Sequence, residues 1–329
     1  MCFLLLLNLK MFVMKKEQTV SVNESWSNKM ATELGITFID LKKDYAFKWA
    51  FGTPGHEELL LLLVQGLLPE KHIKSAKLGP QEQQSDREDA QRGVFDIMCE
   101  TDDGSSLTIE MQVCPQADFN DRMVFYSSFP IRNHVGMGAP KNNRKTKYKY
   151  IRYKLPPIYT IGILNFELHG VNKSNRIIRH FSIREDEDEN ALFTDSIHYI
   201  TVELPKFQKS ISSLSSSQDF ILYLIKNIGE MKHIPNVFLG KGFDKILETC
   251  MFANMKQEEQ MNYVRRLMAD MDREGQLGYA HHQGLEEGEA KGRAEGEAAK
   301  ASEIAAAMKA RGYPIQEIAE ITGLTPDQI

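Results

Sequence analysis

The sequence predicts a mixed α/β domain followed by a helical extension, and three observations carry that expectation. Two strand-like segments, GVFDIMCE and SLTIEMQVC, flank the turn-forming run TDDGS. Two later segments, PPIYTIGILNFEL and HYITVELPKF, are rich in the β-branched and aromatic residues of buried strands. Helical patterns surround these strands, and beyond about residue 219 the chain reads as helix throughout. The order helices, hairpin, helix, strands, helical tail is that of a mixed α/β domain with a C-terminal extension.

The elements follow in turn. The N-terminal run MCFLLLLNLKMFVMKK is shorter than the roughly 20 apolar residues of a spanning helix. It has no basic residue before the apolar stretch and no small-residue cleavage site after it, so it fits a signal peptide poorly. Residues 1–35 are therefore expected to be disordered or a mis-assigned start, with the true beginning near Met14 or Met30; a membrane anchor is the alternative. Order should begin near Ile36. FIDLKKDYAFKWAFG predicts a short helix after Asp44 that Gly52 and Pro54 end. The leucine run of HEELLLLLVQGLLPE predicts a buried helix stopped by Gly66 and Pro69. Residues 79–92 read as a polar loop. After the hairpin, residues 116–136 predict a helix with Phe119, Met123, Tyr126 and Phe129 on one side, kinked or ended at Pro130. The serine-rich stretch SISSLSSSQDF precedes a further helix that Ser217 or Asp219 can cap.

Bulk properties exclude several classes. The 329 residues, with 42% hydrophobic and 26% charged, are ordinary globular usage. The net charge of −5 carries no basic signature, so any nucleic-acid contact must rest on local charge. The cysteines Cys2, Cys99, Cys114 and Cys250 form no CxxC pair, which fits reduced thiols in a cytoplasm rather than a zinc site or a disulfide framework.

The hairpin carries the candidate chemistry. Asp103–Gly104 is strong turn chemistry, and a turn centred on Asp103 sets Asp96 opposite Glu110. Opposed side chains have Cβ atoms about 4.5–5.5 Å apart. Gln112, two residues beyond Glu110, shares its face. Opposed like charges repel, and a divalent cation compensates directly, since Mg²⁺ is held by one or two carboxylates plus water and phosphate. Gln112 can orient a water or contact a phosphate. The competing reading places both acids on a solvated sheet face, but each is flanked by apolar residues, in VFDIM and IEMQV.

FIDLKKDYAFKWAFG, VFDIMCETDDGSSLTIEMQV and ADFNDRMVFYSS, in that order, resemble the PD-(D/E)XK nuclease family transposases, also called recombination-promoting nucleases. PIYTIGILNFEL and HYITVELPKF look like the later strands of that family, so the resemblance covers roughly residues 36–210. It implies a restriction-endonuclease-like mixed sheet flanked by helices. It also implies Mg²⁺-dependent DNA endonuclease activity, with Mn²⁺ or Ca²⁺ as substitutes. On this resemblance Asp96 and Glu110 bind the metal, with the Met111 carbonyl as a third ligand. Gln112 stands where many nucleases of the wider superfamily have lysine; the family commonly has glutamine there, so the change is not by itself a sign of inactivity, although it removes a fixed positive charge. Asp44 matches an acidic residue of the family's first helix and joins the site through water, or else is a cap or surface acid. Lys48 can reach a phosphate or be solvated. Arg122 and Tyr126 share a helix face; Arg122 can clamp phosphate or pair with Asp118 or Asp121, and Tyr126 reads as structural.

The link 141–154 includes Lys145, Lys147 and Lys149 among seven basic residues, with interleaved tyrosines and no acid. It can track a phosphate backbone or be a solvated loop. The nuclease-like domain is thus expected over 36–250, and a helical tail over 251–329. Glycines 284, 288, 292 and 296 recur every fourth residue there and allow close packing on a partner, including a second copy, or make a loose helix. The tail's end resembles a helix–turn–helix unit but stops too soon for a full recognition helix. His281–His282 reads as an exposed loop. The alternative function is a catalytically inactive DNA-binding or protein-interaction module on a nuclease scaffold.

Overall fold

The chain enters the fold earlier than Ile36. The computed structural model describes residues 25–80, 82–83, 93–134, 154–168 and 174–329. Its first helix, α1 (Ser25–Glu33), lies in the stretch expected to be uncommitted. Met30 and Ala31 are buried, and the Ser27 hydroxyl donates to Gln260 Oε1 at 3.0 Å. The expectations for residues 1–24 fall outside the described residues. Then come α2 (Asp44–Gly52) and α3 (Glu57–Leu67), both in the expected places. Leu59, Leu60, Leu63, Val64 and Leu67 of α3 are buried.

The strands are β1 (Ala76–Leu78), β2 (Glu82–Gln83), β3 (Gly93–Val94), β4 (Ile97–Thr101), β5 (Ser106–Gln112), β6 (Ile158–Leu164), β7 (Ile178–Ser182) and β8 (Ile197–Glu203). Helix α4 (Phe119–His134) lies between β5 and β6. The helices α5 (Ser217–Asn227), α6 (Phe243–Cys250), α7 (Gln257–Ala310) and α8 (Ile315–Thr322) follow. Two compact units result, the first ending at Val264 and the second running from Arg265 to Ile329.

Six strands form one sheet in the order β1-β4-β5-β6-β8-β7, and β2 pairs with β3 separately. β5, β6 and β8 run parallel, whereas β1, β4 and β7 are antiparallel to their neighbours. The hairpin register sets Ile97 opposite Ile109 and Cys99 opposite Leu107, as a turn centred on Asp103 requires. Gly104 supplies the positive φ of that turn, at 80°.

Three expectations are corrected. The first hairpin strand is not continuous, because the chain bends at Phe95–Asp96 between β3 and β4. β5 is buried along its whole length rather than on one face, because α4 covers the face that carries Glu110 and Gln112. Pro130 neither ends nor breaks α4, which continues to His134. Phe129 and Pro130 are buried there, with the Phe129 ring 5.2 Å from Phe95, so tertiary packing holds the last turn despite the missing donor.

Gly162 lets α4 lie close to the sheet. A Cβ there would meet Phe119 Cζ at 2.6 Å and Met123 Sδ at 3.5 Å. Its row in the sheet runs Glu110, Gly162, Thr201, so this contact sets the height of α4 above Glu110.

The start of α5 is a capping box, with Ser216 rather than Ser217 as the cap. The Ser216 hydroxyl accepts from Asp219 N at 3.1 Å, and Asp219 accepts from Ser215 N at 3.0 Å and Lys209 Nζ at 2.7 Å. Burial alone would raise the Asp219 carboxyl, but Lys209 and the Ser215 and Ser216 donors outweigh it and hold it down at about 2.

In the second unit, α7 continues as helix through all four period-four glycines, where an added Cβ would meet nothing within 4 Å. His281 and His282 are exposed as expected, but on this helix rather than in a loop. Ala305 and Ile318 are buried in this unit, and Gly312 and Gly323, with φ of 83° and 71°, close helices as the sequence predicts. No helix among the described residues is long and apolar enough to cross a membrane.

Two outcomes follow from this packing. Gly162→Ala should destabilise the protein by about 1–3 kcal/mol in a denaturant melt, because overpacking forces α4 away from the sheet. Asp219→Ala should cost about 1 kcal/mol at neutral pH through loss of the cap. The Asp219 contribution is fully present above about pH 4, the unfolded carboxylate range, and fades as pH falls through about 2. Melts of the two proteins should therefore converge only in strong acid.

Candidate active site

The Asp96 and Glu110 side chains are each tied to the backbone of the other's strand segment. The Asp96 N–H donates to Glu110 Oε1 at 3.3 Å, and the Met111 N–H donates to Asp96 Oδ2 at 2.7 Å. The bend at Asp96 thus turns its N–H from the strand ladder to a side chain. The N–H and C=O of one strand residue point to the same edge, so the Met111 carbonyl faces the Asp96 side. Glu110 is 3% exposed and Gln112 is 7% exposed, which rules out the solvated-face reading of the hairpin. The Gln112 carbonyl accepts from Asn165 N at 2.9 Å. Its side-chain amide has no hydrogen-bond partner among the described residues.

Both carboxyls are costly to ionise. Burial pushes Glu110 up to about 8, with Asp44 adding to the rise and Arg122, the Asp96 N–H and Lys48 opposing it. Asp96 is raised well above the usual range by burial first, then by Glu110 and by a hydrogen bond and charge from Asp44, against the Met111 N–H.

The two helices complete the cluster. Asp44 is the first residue of α2, behind Lys43 at the cap position, and no side-chain cap bond forms there. Asp44 is exposed and reaches the Asp96 carboxyl instead. One turn on, Lys48 Nζ donates to the Phe95 carbonyl at 3.4 Å. From α4, Arg122 Nη2 lies 3.5 Å from Glu110 Oε2, so its ion pair is with Glu110 and not with Asp118 or Asp121. Its Nη1 donates to Gln116 Oε1 at 2.9 Å and its Nε donates to Tyr126 Oη at 2.8 Å.

The structure therefore gathers Asp44, Lys48, Asp96, Glu110, Gln112 and Arg122 around one end of the hairpin. Lys145, Lys147 and Lys149 lie outside the described residues. Tyr126 and Gln116, which fix the Arg122 guanidinium, were not among the site residues expected from sequence. The i, i+4 spacing of Arg122 and Tyr126 was the available signal for the first; Gln116 offered none.

A divalent ion fits this donor set. Two carboxylates and a main-chain carbonyl are hard oxygen donors of the kind Mg²⁺ and Mn²⁺ take. Two buried acids that resist ionising together are relieved by a cation between them. Among the described residues no three acidic, histidine or cysteine side chains group tightly enough to hold a metal. The arrangement is that of an open site, in which water and phosphate complete the shell.

The mixed six-stranded sheet with flanking helices and a long C-terminal helix is the restriction-endonuclease-like arrangement expected. No curated protein and no solved structure matches the chain at a significant level. A sequence profile of PD-(D/E)XK nuclease family transposases matches residues 41–280, from the residue before Lys42 into α7. That match spans well over half of the chain and contains every acid of the cluster, and the protein therefore belongs to the PD-(D/E)XK nuclease family transposases.

Proposed function

We propose that the protein is a Mg²⁺-dependent DNA endonuclease that hydrolyses phosphodiester bonds in mobile-element or recombination substrates. The observation that carries this reading is the reciprocal tie of Asp96 and Glu110, at 3.3 Å and 2.7 Å, inside a buried strand end. Asp96, Glu110 and the Met111 carbonyl would hold the ion. When bound, it supplies a Lewis acid for the phosphate and acidifies an attacking water. Gln112, with its amide unclaimed, orients that water or contacts the phosphate. Asp44 accepts a proton or a water at the open side of Asp96. Arg122, fixed by Gln116 and Tyr126, presents a planar fork whose charge Glu110 shares with an incoming phosphate oxygen.

Lys145, Lys147 and Lys149 belong to a link whose composition suits a phosphate backbone. The exposed length of α7 suits a partner helix, including that of a second copy. Free thiols at Cys99, Cys114 and Cys250 accord with a cytoplasmic setting. A second reading, a non-catalytic DNA-binding or protein-interaction module, is favoured by Gln112, which leaves the strand without a lysine.

Plasmid nicking separates these readings. The nuclease should nick supercoiled DNA with Mg²⁺ or Mn²⁺, and Asp96→Ala and Glu110→Ala proteins that remain folded should lose that activity. Nicking in chelator, or undiminished nicking by either variant, would remove the site assignment; DNA binding without cleavage under every metal supports the second reading. Glu110→Gln should match or exceed the wild-type melting temperature without metal, since it removes a buried acid. It should also lose the rise in melting temperature that Mn²⁺ gives the wild type. Tyr126→Phe should lower kcat severalfold by freeing Arg122, with little change in melting temperature.

A further inference from the structure

A buried carboxylate pair that cuts DNA must also meet the charge that develops on the phosphate, and the cation on β5 is missing. Gln112 occupies the strand position beside Glu110, and its amide carries no charge. Two cations from the helices approach the pair. Arg122 is already paired: its charge faces Glu110 at 3.5 Å, and its other two nitrogens donate to Tyr126 Oη and Gln116 Oε1 at 2.8 Å and 2.9 Å. Lys48 is not. Its ammonium has three donors, and among the described residues only one is used, in a 3.4 Å hydrogen bond to the Phe95 carbonyl.

That single bond is informative about position. Phe95 immediately precedes Asp96, so the ammonium is anchored one residue from the proposed metal ligand. The residue is half-buried. Lys48 also lies one helical turn from Asp44, which interacts with the Asp96 carboxyl. Its charge is felt at Glu110, where it opposes the upward shift.

We infer that Lys48 is the catalytic cation of this site, supplying from α2 the positive charge that Gln112 does not supply from β5. This rests on the nuclease reading above. The ammonium donates hydrogen bonds to a non-bridging oxygen of the scissile phosphate. It stabilises the charge that grows there as the bond to water forms and the bond to the leaving oxygen breaks. It neither gives up nor takes a proton. A lysine that merely tethers DNA would act on binding, whereas this one acts on turnover.

The test compares wild type, Lys48→Met, and Lys48→Met combined with Gln112→Lys, each verified as folded by circular dichroism. Three quantities are read: plasmid nicking with Mg²⁺, DNA affinity with Ca²⁺, and affinity for Mn²⁺ alone from the free-ion paramagnetic resonance signal. Lys48→Met should lose about 100-fold or more in kcat, the scale of a lost transition-state donor, with DNA affinity changed by less than about threefold. Its Mn²⁺ affinity should rise by about tenfold, because a like charge beside the ion is gone. The double variant should recover a measurable part of the lost nicking. Nicking within threefold of wild type, or a loss matched by an equal loss of DNA affinity, would overturn the catalytic role. Unchanged Mn²⁺ affinity would overturn the placement of the ammonium against the pair. A wild type that binds Mn²⁺ yet cuts nothing removes the nuclease reading and the catalytic role with it, and the affinity shift still reports whether Lys48 faces the acids.

Discussion

Two acids held face to face, each gripping the other's strand through a backbone N–H, set the terms for the rest of this molecule. Hydrogen bonds to a charged group contribute about 1.5–3 kcal/mol each. Withdrawing a carboxylate from water costs several kcal/mol per ion, and here two are withdrawn together. The contacts at 3.3 Å and 2.7 Å therefore fix the geometry without neutralising it. What the fold stores at Asp96 and Glu110 is a preorganised deficit of positive charge, which a proton or a bound cation can offset.

The surrounding elements sharpen that deficit. Helix α4 covers the face that holds Glu110, and the absence of a side chain at Gly162 lets it approach, with Phe119 standing where a Cβ would be. Full coverage of β5 lowers the local dielectric, which strengthens every charge interaction inside. The same helix delivers Arg122, and Gln116 and Tyr126 hold it in place. Helix α2 delivers Asp44 and Lys48 from the other element. One hairpin and two helices thus bring three acids and two cations to one end of the hairpin, where a phosphate with its own charge can exchange partners with them. The tension between stability and use is visible in the composition of the site, where acids and a guanidinium are withdrawn from water.

Much of this was legible in the sequence, for reasons of period and turn chemistry. Asp103–Gly104 fixed the register, and the register alone placed Asp96 against Glu110. The leucine run of α3 and the β-branched content of β6 and β8 announced buried elements. The break at Asp96 was not legible, because a residue that leaves the ladder to bond a side chain looks like any other strand residue. Burial of both faces of β5 was also hidden, since Ser106, Thr108, Glu110 and Gln112 on its second face read as solvent-facing until α4 is set over them. The short strands β1 and β7 carried too few residues for a period to declare itself. α1 was missed because its polar composition conceals three buried positions, Ser27, Met30 and Ala31. Pro130 misled in the opposite direction: a local rule predicted a kink or an end, and the helix runs on to His134 with Phe129 packed on Phe95. Tyr126 is the instructive case at the site, because its spacing from Arg122 was visible but its role as the guanidinium's anchor required the fold.

The most direct measurement is crystallographic. Crystals soaked in Mn²⁺ and measured at the manganese edge should show one strong anomalous peak bound by Asp96, Glu110 and the Met111 carbonyl, at oxygen distances of about 2.0–2.4 Å. A peak elsewhere in the molecule, or none near the hairpin at saturating Mn²⁺, would contradict the claim that this pair exists to hold a cation.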